Sequence, residues 1–187
     1  MFPPIPSWEG LHPLIIHFPI ALLLIVPLFV IAGLIFRQHR STLMLVSLVL
    51  MLAGTVAAFV AVSTGEAAGE LAERTPAISA VLERHEDLAE LTRNVFAGLT
   101  IVFAGILVAP RLFKKDPAGM VGTVITVAFL GFYFAGVVLL ANTAHQGGQL
   151  VHAYGVRAMV AADGSAVAGG DARSTETAHD DETSDDD

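Results

Sequence analysis

Four stretches of this chain contain no Asp, Glu, Lys or Arg, and they constrain its fold more than any other feature. They cover residues 10–36, 41–65, 94–110 and 117–156. A membrane-spanning helix needs about 20 predominantly apolar residues, so each stretch supplies one span, the third only just. The sequence therefore predicts an all-α protein, a four-helix transmembrane bundle within residues 1–160. Its spans are expected near residues 13–36, 41–64, 90–110 and 119–143.

Composition supports a protein whose solvent is the lipid bilayer. Hydrophobic residues make up 54% of the chain and charged residues 15%, whereas an average soluble domain carries about 25% charged residues. A soluble fold of this size would leave large apolar patches exposed, which excludes an ordinary cytosolic enzyme. The net charge of −8 argues against nucleic-acid binding. The absence of Cys excludes thiolate zinc sites, iron–sulfur clusters and covalently attached c-type haem.

Two segments lie outside the predicted spans. Residues 65–93 form the one long loop and predict a short amphipathic helical segment, a turn at Pro76 and a helix that runs into the third span. Residues 161–187 hold nine of the eighteen acids and one Arg. Such a composition predicts a disordered acidic tail.

The basic residues suggest how the bundle is oriented. The two short connections, residues 37–40 and 111–116, hold five of the ten Lys and Arg residues and one of the eighteen acids. Lys and Arg concentrated in short loops mark the cytoplasmic side. We therefore expect a multi-pass plasma-membrane protein with both termini and the long loop on the extracytoplasmic side.

Prolines and small residues indicate how the spans bend and pack. Pro19 and Pro27 each remove a backbone hydrogen bond, so kinks are expected there, tolerated where neighbouring helices satisfy the freed carbonyl. Pairs of small residues four apart let membrane helices approach closely, although Gly and Ala are also common in such helices for no special reason. The pairs are Gly54 with Ala58, Gly105 with Ala109 and Gly131 with Ala135.

Five of the seven histidines fall next to the ends of spans. An up-down-up-down bundle brings the start of spans one and three and the end of span four to the same membrane face, whichever face is outside. Imidazole is the commonest metal-ligand side chain and an axial ligand of haem iron. The candidate ligands are His12, His17, His85, His145 and His152.

Spacing limits how these histidines can share a ligand. His12 and His17 are about 140° apart around a helix, and His145 and His152 are about 10 Å apart along one, so a shared site must draw on different helices. A b-type haem held between two imidazoles does this. A zinc, copper or iron ion held by His17, His85 and His145 with a carboxylate beside His85 is the competing geometry. In the third alternative the histidines bind no ligand and only hydrogen-bond lipid head groups or backbone.

The sequence resembles a known membrane family in four places. The matching segments are LHPLIIHFPIALL at residues 11–23, TGEAAG at 64–69, HE at 85–86 and AHQGGQLVHAYGV at 144–156. They resemble the four-span membrane family catalogued as domain of unknown function (DUF) 2231. The resemblance implies an integral membrane domain, sometimes joined to cytochrome-type modules. It places His12, His17, His85 and His145 at motif positions, while His152 stands where members more often have Tyr.

The cytochrome-type modules that the resemblance implies, rather than the spacing of the histidines, favour haem over a bare metal ion. We expect b-type haem near the outer face, held by a pair among His17, His145, His85 and His12. Its role would be electron transfer with a membrane or extracytoplasmic redox protein. The alternatives are a zinc-, copper- or iron-binding membrane protein and a cofactor-free accessory or assembly subunit. No nucleophile–base pair or phosphate loop indicates catalysis, and the four helices could also assemble into an oligomer.

Overall fold

The computed structural model describes residues 6–113 and 119–156, and within them every regular element is a helix. A 3₁₀ turn at Glu9–Leu11 leads into the first span, and another at Arg37–His39 joins the first and second spans. The α-helices are α1 His12–Ile15, α2 His17–Ile35, α3 Arg40–Glu70, α4 Pro76–Phe113 and α5 Met120–His152. The predicted acidic tail at residues 161–187 lies outside the described residues.

The four-helix membrane bundle predicted from the sequence is confirmed. Four helical segments are long and apolar enough to cross a membrane. They pack as two antiparallel hairpins, α2 with α3 and α4 with α5, and α3 joins the hairpins by packing on α4. The candidate spans are Glu9–Ile35, Arg37–Glu70, Pro76–Pro110 and Met120–His152.

The helices extend beyond the predicted spans at the end that carries the histidines. The predicted amphipathic loop is formed by the last turns of α3 and the first turns of α4, separated by a break between Glu70 and Pro76. Helix α5 runs on to His152 rather than ending near residue 143. Gly147 and Gly148 lie inside α5, where the helix still packs against α4, and Gly147 is beside His85.

The first span responds differently to its two inner prolines. The helix is interrupted at Ile16, which separates α1 from α2 three residues before Pro19. Pro19 has no amide hydrogen to donate to Ile15, so the helix is weakened at this level. Helix α2 then continues through Pro27. The carbonyl of Leu23, which Pro27 cannot bond, accepts a hydrogen bond of 2.9 Å from the Tyr133 hydroxyl instead.

The apolar core lies between the four spans and is rich in aromatic rings. Phe96 packs edge-on against Tyr133, with ring centroids 5.4 Å apart, and Phe103 lies 4.8 Å from Phe129. The other core side chains are Leu23, Val26 and Val30 of α2, Met44 and Met51 of α3, and Leu130 and Leu140 of α5. These contacts set the spacing of the helices whose ends carry the candidate site.

Only one of the three predicted small-residue pairs lies at a close helix contact. A Cβ atom at Gly54 would lie 2.8 Å from the Leu23 side chain, so α2 and α3 approach closely there. A Cβ atom at Gly105 or Gly131 would meet nothing within 4 Å. These two glycines therefore make no packing contact within the described chain.

Candidate functional site

A cavity of about 440 Å³ opens at the end of the bundle where the histidines collect. Its walls come from α1, the start of α2, the end of α3, the start of α4 and the end of α5. It runs inward from His12 to Leu23 and Leu140, a depth of about 16 Å at the rise of an α-helix. The volume and the largely apolar lining are typical of a small-molecule or cofactor site.

His12 enters this cavity from the short helix α1 with one ring nitrogen fixed. The ring is half-buried, and its Nδ1 lies 2.9 Å from the carbonyl oxygen of Ala61 and 3.3 Å from the hydroxyl of Thr64. A carbonyl can only accept, so Nδ1 carries the hydrogen. Within the described residues Nε2 makes no hydrogen bond, which leaves its lone pair free in the neutral ring.

His85 is held in the same way by the second hairpin. Its half-buried ring places Nδ1 3.0 Å from the carbonyl oxygen of Thr143, so here too Nδ1 donates. Behind this carbonyl, the Thr143 hydroxyl is 2.8 Å from that of Thr92. Both rings line the cavity and are close enough to interact electrostatically. In its neutral form, each of these two imidazoles would therefore present a free Nε2 within the same largely apolar cavity.

The other three histidines are exposed and differ in position. His152 lines the mouth of the cavity. His17 does not line the cavity, in accordance with the 140° that separates it from His12. His145 also lies outside it, and its Nε2 is 3.1 Å from the amide nitrogen of Gln149. The structure thus brings His12, His85 and His152 to the cavity and leaves His17 and His145 on the outer surface.

Charged side chains surround the mouth but do not gather around the imidazoles. Glu9, Glu66 and Glu86 line the cavity, as does Arg93. The Arg93 guanidinium lies 5.2 Å from the centre of the Phe59 ring. Across residues 6–113 and 119–156, no three His, Asp or Glu side chains are grouped closely enough to hold a metal ion.

The sequence predicted the end of the bundle at which the histidines collect and included both inward-facing histidines. Its matched segments at residues 64–69 and 144–156 contain Thr64, Gly65 and Gly147, but their contacts with the imidazoles, and that of Thr143, were not predicted. Thr64, Gly65, Thr143 and Gly147 contact the two imidazoles from the opposite helix of each hairpin. Glycine inside a regular helix costs about 1 kcal/mol relative to Ala, so Gly65 and Gly147 were a usable signal of a close contact. The ring of Tyr133 is buried in the core and does not line the cavity.

Comparison with known proteins gives one match. Residues 9–159 match the family described as "Predicted membrane protein (DUF2231)". No curated protein and no solved structure matches the chain.

Proposed function

This chain belongs to the DUF2231 family of predicted membrane proteins, and from that premise and the cavity we propose that it binds b-type haem between His12 and His85. The haem would make it a one-electron carrier at one face of the membrane. His12 and His85 replace the wider set of candidate ligands because they are the half-buried histidines of the described chain and both line the cavity.

The observation that carries the proposal is the hydrogen bonding of the two rings. Metal-bound histidine almost always donates its second ring nitrogen to a carbonyl, carboxylate or water, which fixes the ring and strengthens it as a ligand. His12 and His85 each donate Nδ1 to a backbone carbonyl of the neighbouring helix. Each therefore offers Nε2 in the form that axial ligation of haem iron requires.

Haem fits this pair better than a bare ion does. A bound zinc ion takes three or four protein ligands, and the described residues provide no such group. Haem iron takes four ligands from its own macrocycle and needs only two from the protein. The apolar walls suit a porphyrin body and keep water away from the iron.

When bound, haem supplies a one-electron redox couple. The residues of the chain would do the rest: His12 and His85 would hold the iron, while the carbonyls of Ala61 and Thr143 accept the Nδ1 hydrogen bonds that align both rings. The cavity lies at one end of the bundle, so the electron must pass to or from a redox protein at that face. We place this face on the extracytoplasmic side because the short basic connection at residues 37–40 lies at the other end.

Spectroscopy of the full-length protein tests the proposal. The protein is produced with haem precursor supplied, purified in detergent and recorded as a reduced-minus-oxidised spectrum. We expect the narrow bands of low-spin six-coordinate b-type haem. His12→Ala and His85→Ala should each remove the six-coordinate spectrum, because each deletes one axial ligand.

Matched variants separate this function from its rivals. His17→Ala and His145→Ala, on the outer surface, and His152→Ala, at the mouth, should keep the wild-type spectrum. Stoichiometric zinc, copper or iron without porphyrin would replace the proposal with a bare metal site. Absence of both porphyrin and metal would leave an accessory or assembly subunit.

A further inference from the structure

His12 and His85 each lie against a glycine that is four residues beyond the carbonyl to which the ring donates. His12 bonds to Ala61 and contacts Gly65, and His85 bonds to Thr143 and contacts Gly147. A Cβ atom would lie 2.8 Å from Cε1 of His12 if added at Gly65, and 3.0 Å from Cε1 of His85 if added at Gly147. Both distances are too short for the rings to stay where they are.

Helix geometry explains why glycine occurs at this spacing. In an α-helix the carbonyl of residue i points at the amide of residue i+4. At Ala61 and at Thr143 the imidazole that donates to this oxygen also lies over residue i+4. Glycine at that position leaves room for the ring. We call each combination of a carbonyl at position i and a glycine at position i+4 a ring seat.

The two ring seats occupy corresponding places in the two hairpins. The first lies near the end of α3 and takes a histidine from the start of the first span. The second lies near the end of α5 and takes a histidine from the early part of α4. In both hairpins the first helical segment supplies the imidazole and the second supplies the ring seat.

We infer that Gly65 and Gly147 are positioning residues that separately fix the planes of the two imidazoles. The inference rests on the proposed function for the identity of the ligand but not for the position of the rings. It adds that each glycine positions only the ring that it contacts. A side chain added at one glycine therefore disturbs one ring and leaves the other unchanged.

The first test needs no haem. The protein is labelled with ¹⁵N-histidine, and the imidazole signals, assigned with His12→Ala and His85→Ala, report which nitrogen carries the hydrogen. Gly65→Ala should alter the His12 signals alone, and Gly147→Ala the His85 signals alone, each losing the pure Nδ1–H pattern. Gly98→Ala and Gly105→Ala are matched controls, because a Cβ atom at either position meets nothing within 4 Å and neither glycine lines the cavity.

The second test uses the haem-loaded protein. The electron paramagnetic resonance g values of ferric haem with two imidazoles depend on the angle between the ring planes. Each seat variant should therefore shift the g values while both controls keep those of the wild type. Circular dichroism checks folding, and if Gly65→Ala does not fold, Gly147→Ala against Gly98→Ala decides alone.

The outcomes distinguish the two proposals. Wild-type protein without haem, but with histidine signals that respond to the seat variants, would end the haem proposal and keep the ring seats. Haem bound through two imidazoles with nitrogen signals and g values unchanged by either seat variant would overturn the ring seats and keep the haem. Equal changes of the nitrogen signals and g values in seat and control variants would also overturn the ring seats.

Discussion

At the scale of the residue, the histidines of this protein differ chiefly in what surrounds the imidazole ring and its Nδ1 atom. Nδ1 of His12 and Nδ1 of His85 each bond to a backbone carbonyl within the bundle. His17 and His145 lie on the outer surface. The neighbours of a ring, more than its place in the sequence, therefore decide whether it suits a buried cofactor.

Thr64 provides a test of how far these neighbours tune the ring. Its hydroxyl is 3.3 Å from Nδ1 of His12, which it shares with the Ala61 carbonyl. Hydrogen bonding at Nδ1 makes the ring a more basic ligand, and a more basic ligand favours the ferric state. Thr64→Val should therefore keep the haem but make its midpoint potential more positive, as measured by redox titration. Thr123→Val, at the far end of α5, should not change it, and an unchanged potential in Thr64→Val would remove Thr64 from the site.

The sequence predicts where the histidines collect but not which of them turn inward. Charge-free stretches and topology are enough to bring His12 and His85 to one rim. The choice between His12 and His17 depends on contacts with Ala61 and Gly65, nearly fifty residues away along the chain. Such pairings arise from helix packing, which single-helix periodicity does not encode.

At the scale of the element, α2 and α5 are joined by a hydrogen bond that compensates for a proline. Pro27 leaves the Leu23 carbonyl without its helical partner, and the buried Tyr133 hydroxyl donates to it. The sequence predicts that some neighbouring helix must satisfy such a carbonyl. It does not predict that Tyr133 does so, because the contact joins residues 110 positions apart.

A double-mutant cycle measures this compensation. Tyr133→Phe should destabilise the bundle by about 1–3 kcal/mol, because it leaves the Leu23 carbonyl unpaired in an apolar interior. The same change should cost less in a Pro27→Ala background, where the restored amide can donate to Leu23. Unfolding in detergent measures the stabilities, and exposed Tyr154→Phe is the control. Equal costs in both backgrounds would contradict the compensation.

The small-residue pairs supply a second test at this scale. Gly54→Ala should destabilise the α2–α3 hairpin by about 1–3 kcal/mol, because the new Cβ atom overlaps the Leu23 side chain. Gly131→Ala meets no atom within 4 Å and should stabilise α5 by up to about 1 kcal/mol. Thermal unfolding of both variants against the wild type measures these changes. Equal effects would show that Gly54 is not at a close helix contact.

At the scale of the whole molecule, α3, α4 and α5 are longer than the hydrocarbon layer of a membrane is thick. Helix α4 has 38 residues and is about 57 Å long, whereas the hydrocarbon layer is about 30 Å thick. The extra turns of α3, α4 and α5 extend at the end that holds the cavity. We therefore expect His12 and His85 to lie near the level of the lipid head groups.

Cysteine labelling tests which face this is. The chain has no cysteine, so single cysteines introduced at exposed positions report without background. Glu73→Cys, beside the cavity end, should react with a membrane-impermeant maleimide in intact cells, because positive charge concentrated in the short loops keeps those loops inside. Gln38→Cys, in the opposite connection, should react only after permeabilisation. The reverse pattern would put the cavity on the cytoplasmic side.

The bond between Tyr133 and the Leu23 carbonyl also bears on how this chain can evolve. Loss of the tyrosine hydroxyl is harmful while position 27 is proline and much less so once position 27 regains an amide hydrogen. Substitutions at the two positions are therefore expected to co-vary among related chains. The order of the changes is constrained too, with the proline replaced before the tyrosine.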